Sequence, residues 1–141
     1  MSTLPPIAIT PGDPCGIGPE IIARAFLNDA LSPKVRPVTQ ACFVAGDAQA
    51  MQKAVDLVDP KALQLKLQVI QKPTQAQNLP VGVIPVLQVA VLASQLPYGE
   101  VNAEAGRFAG QCVVWAAQAA LRKEIAAMVT APLHKEALSA A

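Results

Sequence analysis

Several features that mark common protein classes are scarce in this 141-residue sequence. It contains one histidine, one tryptophan and one tyrosine, and only 15% of its residues are charged. The formal net charge is +1 and the charges are scattered without a run of one sign. The electrostatic signature of a nucleic-acid-binding or membrane-surface protein is therefore missing, and we expect neither partner.

Cysteine is also sparse. Cys15, Cys42 and Cys112 are odd in number, far apart and without a C-x-x-C pair, which argues against a disulfide framework or a cysteine zinc site. Cys42 and Cys112 lie in apolar stretches and are expected to be buried. Cys15 lies in a loop before a helix, where a thiol pKa can be lowered, but no histidine is near it in the sequence to act as a base.

No long uninterrupted apolar segment is present. The stretch 81–97 is broken by Gln88 and by Pro85 and Pro97, so it does not have the composition of a membrane span. The first residues lack the basic and apolar regions of a signal peptide. Together with the unpaired cysteines, this predicts a cytoplasmic protein.

The composition that remains, 52% apolar residues, is that of one globular domain. Apolar strand-like segments alternate with helical patterns, which predicts an α/β layered domain with a largely parallel sheet flanked by helices. Pro85 predicts that its strand lies at a sheet edge, and the last strand is predicted to be buried. Asp47 and Asn102 are predicted to lie at the starts of their helices. The predicted strands are 6–10, 41–45, 65–71, 81–87 and 125–130, and the predicted helices are 18–28, 47–57, 102–123 and a segment after Pro132.

The most informative segment is residues 7–20, here called the first motif, in which a short strand breaks into a glycine- and proline-rich loop before a helix. Its glycines allow positive φ and close approach of a ligand. A helix start of this kind presents N–H groups and a positive dipole end to an anion. The spacing is neither that of a Rossmann G-x-G-x-x-G site nor that of a P-loop. A purely structural strand-to-helix turn is the alternative.

His134 and Lys135 follow the last strand. A lone histidine at a helix start is commonly a cap or a surface residue, but here it can also touch an anionic substrate or transfer a proton. Lys135 is unfavourably placed relative to the helix dipole unless it meets a negative group, such as a phosphate or Asp13. A single histidine cannot form a catalytic zinc site, which usually has three protein ligands.

The sequence resembles the 4-hydroxythreonine-4-phosphate dehydrogenase (PdxA) family. Three stretches in the right order carry the resemblance and span most of the chain. They are the first motif with Thr10-Pro11-Gly12-Asp13-Pro14 and Gly16-Ile17-Gly18-Pro19-Glu20, the second motif Tyr98-Gly99-Glu100-Val101-Asn102-Ala103-Glu104-Ala105-Gly106-Arg107, and the third motif 128–138 with Pro132-Leu133-His134-Lys135.

The resemblance implies the first part of a two-domain fold like that of isocitrate and isopropylmalate dehydrogenases. Family members are more than twice as long, so residues 1–141 are expected to be an N-terminal, truncated portion that is inactive alone. The family oxidises 4-phosphohydroxy-L-threonine with NAD or NADP and a divalent metal (zinc, magnesium or cobalt), in pyridoxine and pyridoxal phosphate biosynthesis. It forms homodimers whose active site lies in an interdomain cleft, with metal ligands that this chain lacks.

No catalytic residue can be assigned from the resemblance. The residues expected to support a phosphorylated hydroxy amino acid or the cofactor are Thr10, Gly12, Asp13, Gly16, Gly18, Glu20, Thr130, His134 and Lys135. Three alternatives stay open: a related dehydrogenase of four-carbon sugar-acid phosphates, one of the isopropylmalate type, and a non-catalytic remnant that binds a partner or a phosphate ligand. The assignment requires the glycine-rich loop to border a crevice near His134.

Overall fold

The computed structural model describes residues 4–32, 35–93 and 96–141. The strands in this part of the chain are β1 (Ile7–Thr10), β2 (Cys42–Gly46), β3 (Lys66–Ile70), β4 (Val83–Gln88) and β5 (Ala127–Thr130). The helices are α1 (Gly18–Leu31), α2 (Ala48–Val58), α3 (Ala103–Leu121), α4 (Lys135–Ala140) and a 3₁₀ helix, η1 (Pro73–Ala76). None of the helices in the described ranges combines the length and apolarity needed to cross a bilayer.

The strands form one sheet in the order β3-β4-β2-β1-β5, and every neighbouring pair is parallel. This confirms the predicted α/β class. Because parallel strands share a direction, the loops that leave β1, β2, β4 and β5 all start from the same edge of the sheet.

The sheet has a separate apolar core on each face. On one face, Ile22 of α1 and Met51 of α2 pack with Val44 and Val86. On the other face, Ala116 and Ala119 of α3 pack with Phe43 and Ala45. These two residues flank Val44 in β2, so their side chains point to the opposite face of the sheet. Helices α1 and α2 therefore cover one face, and α3, with α4 packed against it, lies on the other.

The prediction that Pro85 marks an edge strand is wrong. Strand β4 lies between β3 and β2, and Pro85 is fully buried. The pairing of β4 with β2 begins one residue after Pro85, at the pair Val44–Val86. The pairing of β4 with β3 already includes Pro85. The proline therefore precedes the β2 ladder, which lets a residue without an N–H occupy an interior strand.

The prediction of a buried final strand is also wrong. Strand β5 is an edge strand paired with β1, and Val129 is 53% exposed. Its apolar sequence is typical of a strand covered on both sides, but no described element covers its outer edge. The other boundaries agree to within a few residues, the largest difference being that α1 extends to Leu31.

Helices α3 and α4 pack closely because α3 carries a glycine at the contact. A Cβ at Gly106 would collide with the carbonyl oxygen of Ala137 and lie 2.8 Å from the backbone nitrogen of Leu138. A Cβ at Gly110, one turn later, would meet only the Leu138 Cδ2 atom at 3.5 Å. The first glycine is thus required by packing and the second is not.

We predict that Gly106→Ala destabilises the chain while Gly110→Ala does not. Overpacking costs about 1–3 kcal/mol, whereas alanine in a helix interior is favoured over glycine by roughly 1 kcal/mol. Urea unfolding of the two variants, followed by circular dichroism, measures both free energies. Equal midpoints for the two variants would contradict the close α3–α4 contact.

Asp59 holds the turn between α2 and β3. It follows α2, is 9% exposed, and its carboxylate accepts backbone N–H groups of Gln64 and Leu65 at 2.8 Å and of Leu63 at 3.2 Å. These hydrogen bonds favour the charged form and lower the pKa of Asp59 below its usual value, although burial opposes them.

A carboxyl whose pKa is lower in the folded state stabilises the fold above its unfolded pKa of about 3.9, and that stabilisation is lost as the pH falls through the folded value. We predict that Asp59→Asn lowers stability at pH 7 and shows a smaller loss between pH 5 and pH 2 than the parent chain. Thermal unfolding across this range tests it. An unchanged acid dependence would show that Asp59 does not carry the effect.

Candidate functional site

The three sequence motifs meet at the carboxyl edge of the sheet. The Gly99 N–H of the second motif donates to the Cys15 carbonyl of the first at 2.8 Å, and the Asp13 N–H donates to the Pro132 carbonyl of the third at 3.1 Å. The second and third motifs touch at Gly106 and Ala137. Each motif thus contacts the other two, although the first and third are more than 100 residues apart.

The meeting point lies between β1 and β5. The chain leaves β1 into α1 on one face of the sheet and leaves β5 into α4, which packs on α3 at the opposite face. Adjacent strands whose connections diverge in this way form the crevice where open α/β sheets bind ligands.

The first loop is more tightly packed than expected. Asp13 is 6% exposed and Cys15 is 2% exposed, and the N–H groups of Asp13, Cys15 and Gly16 all donate within the protein. The expectation that this loop presents free amides is therefore wrong for these three residues. Thr10 is also fully buried, and its hydroxyl has no partner among the described residues.

The three loop glycines have different roles. Only Gly12 has a positive φ, +69°, and a Cβ there would collide with the Pro132 carbonyl oxygen. A Cβ on Gly18 would collide with the Pro11 carbonyl, whereas at Gly16 it would lie 3.4 Å from the nearest atom, the Asp13 carbonyl oxygen. Packing against the third motif accounts for Gly12 and close packing within the loop itself accounts for Gly18, so neither glycine requires the approach of a ligand.

The start of α1 keeps anion-binding capacity. Its N-cap residue, Ile17, makes no side-chain cap. No described residue accepts the N–H of Gly18 or Glu20, while the next amide, Ile21, donates to the Ile17 carbonyl. Unpaired N–H groups at the positive dipole end of a 14-residue helix are the kind of donor that binds a phosphate or carboxylate, although Gly18 is itself buried.

The lowered thiol pKa that the position of Cys15 before a helix allowed is not found, which agrees with the lack of a nearby base in the sequence. The thiol pKa of Cys15 is raised, first by burial and then by the negative charge of Asp13, whose carboxylate accepts the Cys15 N–H at 2.8 Å. A raised pKa keeps the thiol protonated and unreactive. Cys42 and Cys112 are buried as predicted, and burial raises the pKa of Cys112 to about 12.

A cavity of about 510 Å³ borders the first loop on the α2 side. Pro14 and Pro19 of the loop, Lys53 of α2 and Tyr98 of the second motif line it. The Lys53 ammonium lies 4.4 Å from the centre of the Tyr98 ring, in cation–π contact. The first loop is thus packed against the third motif on one side and borders an open cavity on the other. The sequence carried no signal for Lys53, because the contact joins segments that are far apart.

Asp47 and Gln88 tie the ends of β2 and β4 together beside this cavity. Asp47 caps α2 as predicted, accepting the Ala50 N–H at 2.9 Å. Its second oxygen accepts Gln88 Nε2 at 2.8 Å, and Gln88 Oε1 accepts the Ala48 N–H at 2.9 Å. Sequence reasoning missed Gln88, since a glutamine at the end of an apolar strand gives no pattern of its own.

The third motif places its polar residues on the surface. Thr130, His134 and Lys135 are exposed. His134 caps α4, with Nδ1 accepting the Ala137 N–H at 3.4 Å. Lys135 forms no ion pair with Asp13, whose carboxylate is used inside the first loop. Only one residue, Leu133, separates His134 from Pro132, the contact of the first loop, so His134 lies beside the crevice.

The described residues do not provide a metal site. No group of three His, Cys, Asp or Glu side chains in these ranges is placed to hold an ion, and the one histidine is a helix cap. The donor set needed for a divalent cation is therefore not built from this part of the protein.

Comparison with known proteins agrees with the geometry. The family model described as "Pyridoxal phosphate biosynthetic protein PdxA" matches residues 38–141. The chain is 39% identical over 135 residues to a 4-hydroxythreonine-4-phosphate dehydrogenase of Trichlorobacter lovleyi, covering 95% of this chain and 38% of the relative. It is 36% identical over 137 residues to a D-threonate 4-phosphate dehydrogenase of Cupriavidus necator, covering 97% and 38%.

A solved structure gives the same result. The crystal structure of the 4-hydroxythreonine-4-phosphate dehydrogenase of Klebsiella pneumoniae superposes with a TM-score of 0.79 at 36% identity, covering 96% of this chain and 39% of that one. The chain thus spans about two-fifths of the length of the proteins it matches. The matched residues and the shared fold together show that this chain belongs to the PdxA family of dehydrogenases.

Proposed function

We propose that this chain is the N-terminal part of a dehydrogenase that uses NAD or NADP and a divalent metal to oxidise 4-phosphohydroxy-L-threonine. The product is an aminoketo acid phosphate that loses carbon dioxide, a step in pyridoxal phosphate biosynthesis. The observation that carries the proposal is the convergence of all three family motifs on one crevice, through the contacts of Gly99 with Cys15 and of Asp13 with Pro132. Relatives named for this activity support it.

The residues of this chain bind and position the substrate or cofactor. The free N–H groups of Gly18 and Glu20 receive an anionic group at the start of α1. Lys135, exposed and outside any ion pair among the described residues, supplies a positive charge from the opposite side of the crevice. Thr10, Gly12, Asp13 and Gly16 shape the loop, and Thr130 and His134 border the substrate. A bound nicotinamide would supply the acceptor for the hydride of the secondary alcohol.

The metal ligands belong to the remainder of the enzyme. The family resemblance implies zinc, magnesium or cobalt held by histidines, and the described residues offer no such set. We propose that the complete protein is a cytoplasmic homodimer, with an active site closed by residues outside this chain. The three free, buried cysteines agree with a reducing compartment.

A second substrate is favoured by a specific observation. Relatives from Cupriavidus necator and Bordetella bronchiseptica, 36% and 38% identical to this chain, are named D-threonate 4-phosphate dehydrogenases. Their named substrate, like 4-phosphohydroxy-L-threonine, carries a 4-phosphate. A crevice that holds the phosphate through backbone N–H groups does not distinguish the two, so selection falls to residues elsewhere in the enzyme.

We predict that purified 1–141 does not reduce NAD or NADP with either phosphate ester, because the metal ligands are missing. The longest expressed form of the protein is expected to reduce the cofactor with 4-phosphohydroxy-L-threonine and to lose activity with a chelator. Absorbance at 340 nm measures both. Turnover by residues 1–141 would show that the rest of the enzyme is not needed for activity. If the longest form oxidised only D-threonate 4-phosphate, the second substrate would be favoured.

We predict that His134→Asn in that longest form keeps stability but lowers kcat/KM at least tenfold. Asparagine is a good N-cap, so the helix start is kept while the imidazole that borders the substrate is removed. His134→Ala serves as the matched variant, since it removes the cap as well and is expected to cost about 1 kcal/mol of stability. Full activity of His134→Asn would show that His134 serves only as a helix cap.

A further inference from the structure

We infer that a second cavity, on the α3 side of the sheet, is a binding site for a planar aromatic anion of the nucleoside monophosphate class. This cavity, here called the Trp115 groove, measures about 660 Å³. It lies beside β4 between η1 and the C-terminal end of α3. Its volume is within the range of small-molecule sites.

One wall of the groove is a fixed aromatic ring. Trp115 lines the cavity and is half-buried. Its ring packs edge to face on the fully buried Phe43, with centroids 6.1 Å apart and an interplanar angle of 87°. The indole N–H donates to no described residue. A base can stack on an aromatic side chain of this kind with little sequence preference, and the indole offers a hydrogen-bond donor beside it.

The groove carries an excess of positive charge. Lys72, Arg122 and Lys123 line it together with one carboxylate, that of Glu124. Arg122 and Glu124 satisfy each other through two hydrogen bonds of 3.0 and 3.1 Å. Neither lysine has a carboxylate within ion-pair distance among the described residues. Two ammonium groups from separate segments therefore flank one cavity, an arrangement that favours a phosphate.

The backbone at Lys123 is left-handed, as it also is at Ala41, Ala62 and Asn78. Lys123 has φ +61° at the end of α3, where its N–H donates to Ala120 and that of Glu124 donates to Ala119, both at 3.0 Å. This is the Schellman arrangement, in which glycine ordinarily occupies the left-handed position. A lysine there costs conformational free energy relative to glycine, and Lys123 is one of the residues that line the groove. A favourable interaction with the helix dipole is the purely structural explanation.

The single tryptophan of the chain makes the test direct. Titration with adenosine 5′-monophosphate is expected to quench Trp115 fluorescence saturably. Lys72→Gln and Lys123→Gly are each expected to weaken binding at least threefold, and together at least tenfold. Lys61→Gln, at an exposed lysine outside the groove, is the matched control and should bind as the parent does. Lys123→Gly is expected to unfold at a temperature no lower than the parent, since it relieves the strained backbone.

Further titrations separate the contributions of the nucleoside and of the phosphate to binding. Adenosine is expected to bind more weakly than the monophosphate, and inorganic phosphate to compete without quenching. NAD binding as tightly as the monophosphate would identify the nucleotide as part of a dinucleotide, and weaker NAD binding would identify a free mononucleotide. Absence of saturable quenching, or quenching unaffected by both lysine variants, would overturn the proposal. If the double variant fails to fold, Lys72→Gln alone decides the role of charge.

Discussion

The structure depends on close backbone contact between segments that are distant in sequence. The loop after β1 lies directly on the segment after β5, and α3 lies directly on α4. Both contacts exist only where a side chain is absent, at Gly12 and Gly106. The Asp13 amide then bonds the first loop to the third motif, and the Gly99 amide bonds the second motif to the first loop. Because backbone atoms cannot repack as side chains do, these contacts fix the carboxyl edge of the sheet more firmly than apolar packing alone.

This constraint changes the interpretation of the glycine-rich loop. The loop is packed against the third motif, and most of its amides are used internally. What remains for a ligand is the start of α1 beside it, where the N–H groups of Gly18 and Glu20 find no acceptor among the described residues. The loop therefore acts as a support for the crevice, and the helix behind it supplies the anion-binding groups.

Particular residues show how far the sequence predicts the site. Asp47 and Asn102 were identified as helix starts from local pattern alone, because a cap bonds to amides two or three residues away. The same local reasoning failed for Pro85 and for β5, since position in a sheet depends on which distant strands pair. Gln88 and Lys53 could not be found at all, because their partners, Asp47 and Tyr98, lie 41 and 45 residues away.

Periodicity, caps and motif order in the chain were sufficient to identify an α/β domain, the family it belongs to and the sheet edge at which its loops gather. Those features follow from local backbone preferences and from alternation of apolar residues, which act over a few residues. Burial of the Asp13 loop, the raised pKa of the Cys15 thiol and the exposure of Val129 emerged only from the folded chain. They depend on which atoms replace water around each group, and that is set by contacts between segments that the linear order does not reveal.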